Sequence, residues 1–426
     1  MESNEREQIV YRLLSEVFLD NAYASIQLNS YLADVKDERD RAFISNFFYG
    51  VLEKNVQLSY IVHSLTPKKP KVSIELLIKM GLYQMRYMST PAYAAINKTV
   101  ELTKAVGKGG VSGFVNAVLR KSESVVLPKE GEVSETKYLA VTYSVPEWIC
   151  EKLIKQYGYD FTKEFLSWEP SKKTHIRHNN RVVSKEEFEK NLKNFDYKAS
   201  KLGYYVTHNV QQALNKSTYT AQSLASMIAV HCYLPSCSEA STVLDLCGAP
   251  GGKSIYIEEL CPSATVYCCD LHPHRVELIK KYARRMKSNI KPVLSDATAI
   301  FPEWINKCDI VICDVPCSGI GVYKNKPDIL FNKNSSAIDN LKKVQMTILE
   351  NAKNYVKVGG VLCYSTCTVF REENEDNIQE FLKNNPDFEL DKIDSPVAPD
   401  NNGIVRLFPH IDECDDGFFV ARMKRK

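Results

Sequence analysis

No apolar run in the 426 residues approaches the roughly 18 needed to span a bilayer, so nothing points to a membrane protein. The opening MESNEREQIV is too charged to read as a secretory signal. No charge of one sign dominates: 55 Lys and Arg stand against 52 Asp and Glu, a net +3. That balance tolerates a nucleic-acid partner without demanding one. There is no internal repeat and no low-complexity tract, and none of the 13 cysteines precedes Cys150. An odd number spread over so long a chain is not a secreted disulfide scaffold, and a reducing, cytoplasmic setting is expected. Composition is otherwise globular, at 44% apolar and 25% charged residues. At roughly 150 residues per domain the length predicts two or three domains.

Residues 1 to 122 read as helices throughout. The stretch 34–63 carries Phe43, Phe47, Val51, Leu52 and Leu58 at helical spacing, and 74–87 repeats the pattern after the break between Pro67 and Pro70. Residues 94–106 do so again before a Gly-Lys-Gly-Gly turn. A polar stretch with Pro128 and Gly131, 123–138, reads as a linker. A small α+β domain is expected over 139–216, where THIRHNNRVV suggests a strand and Ser184 with Glu187 has the spacing of a helix-opening capping box. Lys172, Lys173, Arg177 and Arg181 come with no acid among them, which suits either a solvated strand edge or contact with nucleic acid.

From Ser241 the rhythm becomes strand, loop, helix. STVLDLC, ATVYCCD, IKPVLSD, CDIVICDV and GGVLCYST are short β-rich segments, most of them separated by helical stretches. That alternation predicts a doubly wound, mostly parallel α/β domain over 217–426, with ligands beyond the carboxyl ends of its strands.

Three features there carry chemistry. LDLCGAPGGKS (244–254) sets Gly248, Gly251 and Gly252 after a strand. A phosphate-cradling loop needs four residues between its first glycine and Gly-Lys-Ser, and here there are three; Pro250 stands where a dinucleotide fingerprint needs glycine. What remains is a loop for a nucleoside or amino-acid moiety, or an ordinary tight turn. Asp270 closes the second strand about 20 residues on, where an acid accepts bonds from ribose hydroxyls, and Asp296 closes the third. Finally, CDVPCSGIG and YSTCT put Cys317 and Cys367 just beyond the fourth and fifth strands, beside Asp314. The spacing CxxxC occurs twice, so zinc has to be weighed; Cys313 and Cys363 lie in apolar runs, which favours two buried cysteines or a thiol nucleophile, and no metal is expected.

In order, residues 244–254, Asp270 with Arg275, Asp296, Asp314-Val-Pro-Cys317 and Ser365-Thr-Cys367 resemble the motifs of RNA (cytosine-5-)methyltransferases, as do FREENEDNIQEFL and LFPHIDECDDGFFVAR. DERDRAFISNFFYGVLEKN, IELLIKMGLYQMRYM and PAYAAINKTVELTKAVGKGGVSGFVNAVLR resemble the NusB-like helical domain, an RNA-binding fold. That fusion is found in the family's bacterial group that methylates small-subunit ribosomal RNA. The resemblance covers nearly the whole chain. It implies a NusB-like domain, an RRM-like middle domain and a Rossmann-like methyltransferase domain. Cys247, Gly248, Ala249, Pro250, Gly251, Gly252, Lys253, Asp270, Arg275, Asp296 and Asp314 would line S-adenosyl-L-methionine. Cys367 would be the nucleophile and Cys317 would assist release of the adduct, while Asp314 would bond the base edge and Lys253 approach the substrate. The partner would be RNA, with small-subunit ribosomal RNA ahead of transfer RNA, and the protein a monomer away from membranes. A nucleotide hydrolase and a non-catalytic RNA-binding module stand as rival readings.

Overall fold

The structure is a computed structural model describing residues 3–234, 241–331, 335–398 and 401–426. It divides into two compact units, one formed by Met1–Trp168 with Tyr323–Asn334, the other by Glu169–Val322 with Ser335–Lys426.

The first unit is helical. Helices run over Ser3–Leu19, Ala24–Ala33, Glu38–Glu53, Asn55–Leu65, Val72–Tyr87, Ala92–Ala105 and Ser112–Lys121. Asp37 opens the third by accepting the N–H groups of Arg39 (2.8 Å) and Asp40 (3.1 Å), satisfying two donors the helix leaves free. The apolar stripe seen in the sequence is its buried face: Phe47, Phe48, Val51 and Leu52 meet Leu13, Leu76, Leu77 and Leu119 in one core. Three more helices, Glu135–Tyr143, Glu147–Tyr157 and Tyr159–Ser167, belong to this unit. Ser144 Oγ accepts the Val56 N–H at 3.1 Å, and Gln57 Nε2 donates to the Val141 carbonyl at 3.1 Å. The expected boundary at 138/139 therefore differs from the division of the structure at Trp168/Glu169. A helical pattern announces a helix without saying which core it joins.

The second unit holds two sheets. In the smaller, β1 (Thr174–His178), β2 (Tyr197–Ala199), β3 (Tyr204–Val206) and β4 (Tyr219–Ala221) pair antiparallel in the order β2-β3-β1-β4. Helices Lys185–Leu192 and His208–Ala213 complete a βαββαβ sequence, the arrangement expected of an RRM-like domain. Ser184 caps the first helix through the Glu187 N–H, at 3.2 Å, as its spacing predicts. β4 pairs Ile176 with Ala221, so this small sheet ends beyond residue 216.

The larger sheet contains β5 (Thr242–Asp245), β6 (Thr265–Asp270), β7 (Lys291–Leu294), β8 (Cys308–Asp314), β9 (Val356–Thr366), β10 (Phe388–Leu390), β11 (Ile404–Leu407) and β12 (Phe418–Arg425). Its order is β10-β12-β9-β8-β5-β6-β7, with β11 paired to β12. β5 to β9 are parallel and β10 to β12 antiparallel. Val243, Leu244, Val311, Ile312, Leu362 and Tyr364 are buried, as continuous apolar strand runs covered on both faces must be. Strand order reverses between β5 and β8, which opens a crevice beyond their carboxyl ends. Among the described residues, no helix is long and apolar enough to cross a membrane.

Candidate functional site

β5 delivers the glycine loop to that crevice. Asp245, fully buried at the strand end, accepts the Ser254 hydroxyl at 2.6 Å. Burial pushes the Asp245 carboxyl up to about 6; the Ser254 hydroxyl works against this and the Asp314 charge reinforces it. The Gly248 N–H donates to the Cys269 carbonyl at 2.8 Å, and the Gly251 N–H to the Gly248 carbonyl at 2.7 Å. A Cβ on Gly248 would stand 2.5 Å from Cys268 Sγ and 2.6 Å from Asp245 Oδ2, so only glycine fits. Gly251 turns the chain at φ +105° into the helix Gly252–Leu260, a conformation that side chains resist. The peptide between Ala249 and Pro250 is cis.

β6 brings Asp270 alongside. It accepts the His272 N–H at 3.1 Å and pairs with Arg275 at 3.1 Å, and Arg275 also donates to the Ala249 carbonyl at 3.2 Å. Asp270 and Arg275 are thus tied to the glycine loop. Asp296, beyond β7, accepts the hydroxyl and N–H of Thr298, which hold its carboxyl below the usual range.

β8 and β9 bring Asp314 and the two candidate cysteines together. Their register sets Asp314 opposite Ser365, and Cys317 Sγ lies 3.4 Å from Cys367 Sγ. Asp314 uses both oxygens: Oδ2 accepts Lys253 Nζ at 2.7 Å and Oδ1 accepts the Ser365 hydroxyl at 2.9 Å. Tyr233, fully buried, closes the chain through its hydroxyl, 2.6 Å from Ser365 Oγ. Burial opposes the charge on Lys253, yet the Asp314 carboxylate outweighs it and raises the ammonium above its ordinary value. The strand cysteines Cys268, Cys269, Cys313 and Cys363 are fully buried, and burial pushes each thiol up. Burial raises the Cys247 thiol as well, with the charges of Asp245, Asp314 and Asp270 adding to it. The four strand cysteines are packing groups. Cys317 and Cys367, like Cys247, are only partly buried, and their two thiols face each other beyond β8 and β9.

A family model described as 16S rRNA methyltransferase RsmB/F matches residues 233–424, and one described as NusB family matches 3–124. The probable ribosomal RNA small subunit methyltransferase B of Bacillus subtilis is 31% identical, over 98% of each chain. This chain belongs to the 16S rRNA methyltransferase RsmB/F family. The ribosomal RNA small subunit methyltransferase B of Klebsiella pneumoniae is 28% identical over 91% of each chain. The fold matches the crystal structure of PH0851 with a TM-score of 0.81 at 24% identity, covering 99% of this chain and 98% of that one.

The structure brings Lys253, Asp314, Cys317 and Cys367 together, ties Asp270 and Arg275 to the glycine loop and sets Asp296 beyond β7; Tyr233, 132 residues from its partner Ser365, is absent from the sequence's candidates. The basic stretch needs a correction. Arg177 is buried and ion-paired with Glu259, and its Nε donates to Gln222 at 2.8 Å. Arg181 reaches Glu258 at 2.7 Å and Glu259 at 3.1 Å, and Lys173 reaches Asp196 at 2.6 Å. Arg177 and Arg181 thus anchor the β1 region to the helix Gly252–Leu260 and Lys173 pairs with the turn before β2, so three of the four cations are held by acids, while Lys172 is exposed.

Proposed function

We propose that this protein methylates carbon 5 of a cytosine in 16S ribosomal RNA, using S-adenosylmethionine, through a covalent bond between Cys367 and the pyrimidine ring. The observation that carries this reading is the 3.4 Å separation of the two crevice thiols, next to an acid fixed by Lys253 and Ser365.

The residues at the strand ends fit S-adenosylmethionine. Gly248, where a Cβ would meet Cys268 and Asp245, and Gly251, at φ +105°, let the loop turn tightly beyond β5, and Asp270 and Asp296 lie at the ends of adjacent parallel strands where ribose hydroxyls can donate. Residues 247–253, Asp270, Arg275, Asp296 and Asp314 would hold it. When bound, it supplies an electrophilic methyl group on a sulfonium.

Carbon 5 of cytosine is a weak nucleophile, so the chain must first raise its electron density. Cys367, as thiolate, adds to carbon 6 and makes carbon 5 a nucleophile. Asp314, with both oxygens already accepting, offers only further acceptance, which suits the amino edge of cytosine; Lys253 and Ser365 hold it in orientation. After methylation, Cys317 as thiolate takes the carbon-5 proton, the C–H pair rebuilds the ring double bond, and the Cys367 sulfur leaves with its bonding pair. The target base must be unstacked to reach this crevice.

The two cysteines then behave differently on substitution. Cys367→Ser abolishes methyl transfer and forms no covalent complex. Cys317→Ser accumulates an RNA–protein adduct that survives denaturing electrophoresis. An adduct formed by Cys367→Ser and not by Cys317→Ser would reverse the roles.

A further inference from the structure

Cys317 lies beyond β8 and Cys367 directly after β9, and the residues on either side of each are anchored by one buried polar network. Glu373 is its centre. This fully buried carboxylate accepts the Ser318 N–H at 2.8 Å, the Ser318 hydroxyl, and Gln345 Nε2 at 3.0 Å. The same Gln345 amide donates to the Pro316 carbonyl at 3.0 Å. Residues 316 and 318, the two neighbours of Cys317, are thereby tied to one carboxylate. Because the Ser318 hydroxyl donates to Glu373, its oxygen is left to accept from Thr368, 2.7 Å away, and Thr368 is the next residue after Cys367. Asn374 grips the other loop from both sides: its Oδ1 accepts the Thr366 hydroxyl at 2.6 Å and its Nδ2 donates to the Thr368 carbonyl at 3.1 Å.

The two loops depend on this network unequally. β9 runs to Thr366, so Cys367 follows directly on a strand paired on both sides, and its carbonyl accepts the Gly321 N–H at 3.0 Å. β8 ends at Asp314, three residues short of Cys317, and the chain from 315 to 319 has no regular structure. Cys317 has less backbone scaffolding and leans on Glu373 for its place.

We infer that Glu373, acting through Ser318 and Gln345, is a positioning residue that keeps Cys317 within reach of the Cys367 adduct and so sets the rate of adduct breakdown more than that of adduct formation. This rests on the two-cysteine reading above. A carboxylate suits the task because four donor-facing lone pairs can collect several neutral donors at fixed angles, and its burial among them makes a substitute costly to accommodate. A misplacement of about 1 Å at such a distance is enough to cost orders of magnitude in a proton-transfer step.

The test uses the full chain, S-adenosylmethionine and small-subunit ribosomal RNA transcribed in vitro. It follows both single-turnover methyl transfer and the denaturation-resistant adduct for wild type, Cys317→Ser, Glu373→Ala, Glu373→Gln and Ser318→Ala. Glu373→Ala is expected to slow adduct breakdown about tenfold more than methyl transfer, so that adduct builds up as it does, more strongly, in Cys317→Ser. Glu373→Gln should fall between, since the amide oxygen still accepts the Ser318 N–H. Where Glu373→Ala does not fold, Ser318→Ala decides, because it removes the bridge to Thr368 and leaves the carboxylate in place. Equal slowing of both steps with no excess adduct, while Cys317→Ser still accumulates it, overturns the role of Glu373 alone. Absence of adduct in Cys317→Ser overturns the two-cysteine reading instead.

Discussion

Ser365→Ala probes the link between the fold and the chemistry at its narrowest point. The Ser365 hydroxyl receives the Tyr233 hydroxyl at 2.6 Å and donates to Asp314 at 2.9 Å, and Ser365 and Tyr233 are both fully buried. Removing it deprives a carboxylate of a charged hydrogen bond worth about 1.5–3 kcal/mol, at the lower end here because Asp314 is partly open to water. It also strands the Tyr233 hydroxyl without an acceptor, which costs about 1–3 kcal/mol. The two together come to about 2.5–4.5 kcal/mol. Tyr233→Phe alone leaves the bond from Ser365 to Asp314 intact and should cost about 1 kcal/mol. The double variant has no stranded hydroxyl, so its cost should fall short of the sum by at least about 1 kcal/mol. Urea unfolding followed by Trp304 fluorescence reads the correct unit, because Trp304 lies in the second unit and packs against Tyr267, Phe301 and Tyr355. The other two tryptophans, Trp148 and Trp168, belong to the first unit and are replaced by Phe in the background. A Ser365→Ala cost under about 0.5 kcal/mol, or strict additivity with Tyr233→Phe, would refute the chain of bonds and with it the fixed orientation of Asp314.

Asp245 predicts a pH effect. Its folded value of about 6 lies above the ordinary 3.8, so ionising it in the native state costs stability. Its contribution is intact below about pH 4 and is lost as pH rises to about 6, about 3 kcal/mol in all. Asp245→Asn should therefore gain on wild type by about that amount between pH 4 and pH 7.5, and a flat difference in unfolding free energy would contradict the burial argument. Arg177→Ala leaves Glu259 short of its closest cation and should destabilise the second unit by about 3–5 kcal/mol. The salt dependence of RNA binding should stay unchanged, whereas a phosphate contact would lower its slope by about 1.

The parallel half of the large sheet was legible because its β-branched strand segments are separated mostly by helical stretches and carry candidate site residues at or just beyond their ends. Strand-end position alone brings Asp314, Cys317 and Cys367 together, since the residues after adjacent parallel strands share one edge. What escaped were the non-local partners. Arg177 looked like surface charge because the acid that neutralises it is 82 residues away. Tyr233 offered no local sign of Ser365. β12, which mixes apolar residues with Arg422, Lys424 and Arg425, was not read as a strand, yet it lies between β9 and β10, with Arg422 buried inside it and paired with Asp391 at 2.8 Å. The helices from 135 to 167 carry the right period and no mark of which core they join.

The most direct test of the central claim is transfer of label from methyl-tritiated S-adenosylmethionine to RNA from a strain lacking this protein, with the RNA separated by size and digested to nucleosides. The account predicts label in 5-methylcytidine from small-subunit ribosomal RNA, lost with Cys367→Ser. Label in the same nucleoside from transfer RNA would contradict the assigned substrate, and label in any other nucleoside would contradict the chemistry itself.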